Sequence, residues 1–182
     1  MKCLHLTQKD YATSTWSGGT TTQLLIWPKN GDYGRREFQV RISSATVELE
    51  ESDFTPLYGV ERYITPLSGG FTLTHPGKTP ISMAPLDAPY RFSGGESTHC
   101  VGKATDFNLM LKGVDGQMIR AKGEFSVRPG LNAFYAPGNR QYTVDGKIYS
   151  MLPGEMLVIF ADTAANIHLG EEMTLACFAA VE

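Results

Sequence analysis

Nineteen glycines and ten prolines interrupt this sequence roughly every eight to twelve residues, and the runs between them are short and rich in Val, Ile, Thr, Phe and Tyr, which is the pattern of an all-β protein. Phe71-Thr72-Leu73-Thr74 alternates and then meets His75-Pro76-Gly77-Lys78, with proline before glycine as in a type II turn. Tyr142-Thr143-Val144 enters Asp145-Gly146 and leaves through Lys147-Ile148-Tyr149, a two-residue hairpin signal. Helix is expected only as short pieces near Gln8 to Ala12 and Glu50 to Phe54.

At 182 residues the chain suits one domain or two small fused ones, and a chain of this size buries roughly 70% of its unfolded surface without a metal or a disulfide. Sixteen basic and nineteen acidic residues, without blocks, give a net charge of −3, which argues against nucleic acid as a partner. The apolar part of Met1-Lys2-Cys3-Leu4-His5-Leu6 is too short for a signal peptide. No window reaches a membrane span, so the expected location is cytoplasmic. Cys3, Cys100 and Cys177 are odd in number and far apart, as expected of reduced, packed thiols.

The segments Phe38 to Ala45, Gly59 to Arg62 and Asp106-Phe107-Asn108-Leu109-Met110 place polar or charged residues between apolar ones two apart. Strands rarely carry such residues unless something uses them, and a barrel with a polar interior would, because alternate side chains point inward. Val40 and Ile42 share one parity while Ala45, Val47 and Leu49 have the other, which predicts a bulge near Ser43-Ser44. Arg41 and Ser43 then face away from Val40 and Ile42, toward a pocket or a solvated face. A loose internal repeat relates the stretch from Leu67 to Met110 to the stretch from Val144 to Val181, as two similarly built barrels would.

Trp16-Ser17-Gly18-Gly19-Thr20-Thr21-Thr22-Gln23-Leu24, Phe38 to Ala45, Phe54, Gly59 to Arg62, Leu67-Ser68-Gly69-Gly70, Tyr90-Arg91-Phe92-Ser93-Gly94 and Asp106 to Met110 run in an order that resembles the HutD/Ves family. The resemblance covers most of residues 16 to 110. It implies a bicupin, two small β-barrels of jelly-roll type fused back to back, with residues 1–112 forming the first barrel and its N-terminal strands and 113–182 the second. It also implies a protein associated with histidine utilisation that binds a small pathway metabolite, with no established catalysis. The pattern breaks at Gly18, where the family carries an asparagine. Gly18-Gly19 reads either as an anion-binding nest or as a plain turn between strands, the turn being favoured.

Arg62 shares a face with Val60 and Ile64, so it must reach water or a buried partner. Asp106 offers an internal ion pair, yet Arg41, Ser43, Arg62 and Asn108 supply more donors than one carboxylate can accept. An arginine fork matches a ligand carboxylate bidentately. The expected ligand site is therefore Arg62 as clamp, Arg41 and Ser43 as further donors, Asn108 for orientation, Asp106 to hold Arg62, Thr21 at the rim, and Trp16, Phe54 and Phe92 as wall.

His5, His75, His99 and His168 include no pair two apart, and neighbours His99 and Cys100 point to opposite faces of a strand, so no metal and no other cofactor is expected. No nucleophile elbow, P-loop or dinucleotide fingerprint is present. The reading is a metal-free binder of a small anionic metabolite, resembling urocanate or N-formylglutamate. The alternative is a metal-free isomerase or lyase acting on a small acid or sugar, with Asp106 as base. A third reading is an interaction module, homodimeric through an exposed barrel edge.

Overall fold

The computed structural model describes residues 1–181, which form two units of antiparallel sheet. The first comprises Ala12–Gly113. Its six-stranded sheet takes the order Ala12–Trp16, Gly19–Trp27, Val40–Val47, Ala104–Lys112, Val60–Gly69 and Tyr90–Ser93, and a four-stranded sheet is built from Glu51–Asp53, His99–Val101, Phe71–Thr74 and Ile81–Met83. The second unit joins Met1–Tyr11 to the chain from Val114 onward. Lys2–Leu6 pairs with Met156–Ala161, at the edge of a five-stranded sheet, and a second sheet has four strands. The opening eleven residues thus belong with the second barrel, not with residues 12–112 as the sequence suggested. That pairing joins segments 150 residues apart, and local pattern carries no trace of it.

Both expected turns form. Lys78 N–H donates to His75 C=O at 3.1 Å with Gly77 at φ 73°, and Asp145 and Gly146, at φ 49° and 75°, join the strands Arg140–Val144 and Lys147–Met151 as a type I′ hairpin. The two expected helical pieces differ. Gln8–Asp10 is one 3-10 turn, whereas Glu51–Asp53 is a strand paired with His99–Val101, because edge pairing outweighs the weak helical preference of three residues.

The bulge lies elsewhere than predicted. Val40–Val47 pairs without interruption against Ala104–Leu111; the register slips instead on its other neighbour, between Gln23 and Leu25. Arg41, Ser43, Ala45 and Val47 all line one cavity, so the parity never changes. What changes is the chemistry along the inner face, polar at Arg41 and Ser43 and apolar at Ala45 and Val47. On the opposite face Val40, Ile42, Phe107 and Leu109 are fully buried.

The two barrels differ inside. Phe134, Tyr142, Met151, Leu157 and Ile159 fill the second, and the pocket beside Arg128 and Phe178 holds only about 10 Å³, room for at most one water. The first has an apolar cluster of Ile64, Phe71, Leu73, Met83, Phe92 and Cys100, another of Phe38, Leu57, Val60 and Met110, and a hollow lined in part by Met110.

Candidate functional site

The hollow has a volume of about 410 Å³, within the range of small-molecule sites. Strand pairing arranges its wall in rows. Arg41 stands opposite Met110, and Met110 opposite Arg62. The next row along the strands is Gln23, Ser43 and Asn108, and the next Thr21, Ala45 and Asp106. Because alternate residues share a face, fixing one row fixes all three.

Arg41 and Arg62 are only 6% and 7% exposed, which removes the solvated-face reading of Arg41. The Arg41 Nε donates to Gln23 Oε1 at 3.0 Å and its Nη1 to Ser43 Oγ at 3.1 Å, with the Tyr33 ring centroid 3.9 Å from the guanidinium carbon. The Arg62 Nη2 donates to Asn108 Oδ1 at 2.9 Å, and its guanidinium lies over Phe54 and Phe92 at 4.8 and 5.1 Å. Its Nε is buried without a hydrogen-bond partner. Burial pulls both guanidinium groups below their ordinary pKa, and Asp106 works against that pull.

The expected ion pair between Arg62 and Asp106 is replaced by a relay. Asn108 Nδ2 donates to Asp106 Oδ1 at 2.6 Å while its carbonyl accepts from Arg62, and the same Oδ1 accepts from Ala45 N–H at 3.2 Å. Asn108 stands two residues from Asp106 on the same face, so its amide fits between carboxylate and guanidinium. Asp106 therefore holds Arg62 only through Asn108, and the Asn108 amide is engaged by protein at both ends. Burial pushes the Asp106 carboxyl up to about 6, against the lowering effects of Arg62, the Ala45 N–H, Asn108 and Arg41.

Eight of the nine predicted residues line the cavity: Arg41, Ser43, Arg62, Asp106 and Asn108 in the wall, with Trp16, Thr21 and Phe54. Phe92 does not; it belongs to the apolar cluster behind Arg62, stacked with Tyr90, and backs the site through the Arg62 guanidinium and the Phe54 ring. Tyr33 and Gln23 were not anticipated. Gln23 shares the parity of Thr21, which alternation could have shown. Tyr33 comes from a loop with no periodicity to read. Asp32 and Glu37 exchange backbone hydrogen bonds at 2.9 Å each, Arg36 Nη1 donates to the Tyr33 carbonyl at 2.7 Å, and Lys112 Nζ donates to the Arg36 carbonyl at 2.5 Å, so the loop is braced with Tyr33 against Arg41. Ser17-Gly18 forms the turn between Ala12–Trp16 and Gly19–Trp27, with Gly19 already paired to Trp16, and Trp16 folds over Gly18.

The histidines lie apart. His5 pairs with Glu155, His99 with Asp53 and His168 with Glu124. His75 is buried against Tyr90 and Phe92 with Nδ1 near Ser97 C=O and Thr98 Oγ1. Among the described residues no group of three His, Cys, Asp or Glu side chains is placed to hold a metal ion, and no helix is long and apolar enough to cross a membrane.

An all-β chain of two jelly-roll barrels, one with an arginine-lined hollow, is a bicupin. Among solved structures a cupin barrel protein from Leptotrichia buccalis matches with TM-score 0.58 and 12% identity over 93% of this chain and 91% of that one. The HutD family model matches residues 8–177, and the chain belongs to the HutD family. HutD from Pseudomonas fluorescens SBW25 matches with TM-score 0.82 and 22% identity over 98% of this chain and 99% of that one. A conserved protein of unknown function from Pseudomonas aeruginosa PAO1 gives TM-score 0.78 and 22% identity over 97% of each. No functionally curated protein matches the sequence.

Proposed function

We propose that this HutD-family protein is a metal-free receptor that senses or buffers a small carboxylate metabolite of histidine utilisation, of the urocanate or N-formylglutamate kind. The observation that carries the reading is Arg62, a buried guanidinium in the wall of a hollow, held by one neutral amide and carrying an Nε with no partner. A buried charge so poorly matched is costly, and a ligand carboxylate would supply the missing acceptor in the geometry a guanidinium favours. Asn108, engaged by Asp106 and Arg62, orients the clamp rather than the ligand. Trp16 and Phe54 cover the apolar part of the guest. One clamp with a few neutral bonds gives roughly micromolar to millimolar affinity, a range suited to following a metabolite pool.

The test is a thermal-shift titration with urocanate and with N-formylglutamate on the protein and on Arg62→Gln. A ligand at a hundred times its Kd stabilises by about 2.7 kcal/mol. The reading fails if neither acid raises the melting temperature of the unaltered protein, or if Arg62→Gln responds as strongly.

One observation favours a second reading. A carboxyl raised to about 6 lies in the range of a general base, which suits an isomerase or lyase using Asp106. Against it, the Asp106 Oδ1 is already occupied by Asn108 and Ala45. Product formation with either acid would decide for the enzyme.

A further inference from the structure

Among the described residues four sheets leave eight edge strands. Six of them carry a charged side chain: Lys2 in Lys2–Leu6, Glu51 in Glu51–Asp53, Arg91 in Tyr90–Ser93, Arg120 in Gly116–Ala121, Glu124 in Glu124–Val127 and Lys147 in Lys147–Met151. A seventh, Ile81–Met83, is three residues long and lies between Pro80 and Pro85. Charge, proline and brevity are the devices that keep a sheet edge from pairing with another chain. Ala12–Trp16 has none of them. It is five residues long, uncharged and without proline, every residue in it is exposed, and it pairs with Gly19–Trp27 without a bulge.

Its backbone is open in a defined phase. Trp16 and Gly19 close the two-residue turn Ser17-Gly18, where such a hairpin exchanges backbone hydrogen bonds. Glu48 N–H donates to Gly18 C=O at 2.9 Å, so the Gly18 backbone faces Val40–Val47 and the Gly19 backbone faces Ala12–Trp16. Alternation then points the N–H and C=O of Ala12, Ser14 and Trp16 at Gly19–Trp27 and those of Thr13 and Thr15 outward, where no strand of the described residues pairs with them. We infer that a second copy of the chain does, antiparallel about a two-fold axis at Ser14. Thr13 then stands opposite the partner's Thr15 and Thr15 opposite the partner's Thr13, and the two pairs exchange four backbone hydrogen bonds. No like charges meet, since this strand has none. On the outer face Thr13 Oγ1 already bonds Thr22 Oγ1 at 2.9 Å and Thr46 Oγ1 bonds Thr105 Oγ1 at 3.0 Å, and threonine pairs across the axis continue that ladder.

Pairing of this kind completes the hollow. A two-fold axis perpendicular to the sheet keeps the same face inward on both sides, and on that face Ser14 and Trp16 line the cavity. The partner's Ser14 lands beside Ser14, and the partner's Trp16 beside Ala12, one strand spacing or about 4.8 Å away. Each mouth gains an indole that its own chain cannot place there, because its own Trp16 folds over Gly18 at the other end of the strand. This holds whatever guest the hollow takes.

Sedimentation equilibrium of the unaltered protein, from about 10 µM to about 1 mM because one short strand makes a small interface, should show a reversible monomer–dimer equilibrium. Thr13→Lys with Thr15→Lys sets two lysines against the partner's two and should leave monomer throughout, with unchanged near-ultraviolet circular dichroism showing that the variant is folded. Cross-linking reads the register. Residues opposed on the axis form the non-hydrogen-bonded pair, with Cα atoms about 4.5 Å apart, within disulfide range. Under mild oxidation Ser14→Cys should give a covalent dimer, and Thr13→Cys no more than the unaltered protein with its native Cys3, Cys100 and Cys177. A protein that stays monomeric at every concentration overturns the inference, as does a dimer that survives the paired lysines. Cross-linking through Thr13→Cys but not through Ser14→Cys overturns the register and, with it, the partner's Trp16 at the mouth.

Discussion

Asp106→Asn should gain stability relative to the parent protein as the pH rises from 4 to neutral. Asp106 is almost wholly buried, and its carboxyl is pushed from the usual 3.8 to about 6, first by burial. The charged and titratable groups around it are Arg62 and Arg41 on the flanking strands and the Cys100 thiol, itself pushed up to about 11. Between pH 4 and 6 the native state therefore holds a proton that the unfolded chain has released. Stability contributed by this group is fully present below about 4 and is lost as the pH rises through 6. Two units correspond to about 3 kcal/mol, or about 6–12 °C in Tm for a chain of this length. The substituted amide keeps an oxygen for the Ala45 N–H and the Asn108 Nδ2, and any fixed cost of its own shifts the whole curve and drops out of the comparison. Urea unfolding of both proteins from pH 4 to 7.5 should show the variant gaining about 3 kcal/mol relative to the parent across that interval. Parallel curves would mean that Arg62 and Arg41 neutralise the carboxylate, and the account of an undercompensated cation pair would be wrong.

Three further outcomes are expected. In a competition or calorimetric assay Arg62→Gln should weaken carboxylate binding by about 10–100-fold, the scale of one charge-assisted contact. Gly19→Ala should cost at least about 2 kcal/mol in urea unfolding, because φ is +145° there and a Cβ would collide with the Thr46 carbonyl oxygen. Gly18→Ala has ordinary backbone geometry, but its methyl would run into the Trp16 ring, so it should alter Trp16 fluorescence and weaken ligand binding more than it lowers Tm.

Strand alternation carried the site into view. Arg41, Ser43, Arg62, Asp106 and Asn108 are polar residues inside apolar runs, and one barrel interior accounts for all of them. Pairing between distant segments lay beyond it, which is why Lys2–Leu6 was placed with the wrong barrel. The apparent slip at Ser43-Ser44 misled for a related reason: a parity argument assumes that the inner face is apolar, and here that face changes from polar to apolar while the strand runs straight. Asn108 could not be recognised as a relay, since spacing shows that three groups share a face but not which of them touch. Tyr33 was hidden because its position depends on backbone hydrogen bonds within a loop, to which side-chain patterning is blind.

The contrast between the barrels bears on why a receptor would be built this way. The second is packed with Phe134, Tyr142 and Leu157 and holds its buried polar Asn132 by hydrogen bonds to the Arg128 backbone. The first keeps two buried cations on neutral partners, an orphaned Nε and a carboxyl driven toward protonation. Each of these raises the free energy of the unliganded barrel, and an anion placed between the arginines would lower it. Local stability should thus be lowest in the strands that carry the site and should rise with ligand, as expected where function draws on the less stable part of a fold. Hydrogen exchange should show this as slower opening of Val40–Val47 and Ala104–Lys112 on ligand addition, with little change in Gly130–Tyr135 and Met156–Ala161. Uniform protection across both barrels would mean that the cost of the buried charges is not confined to the strands that hold them.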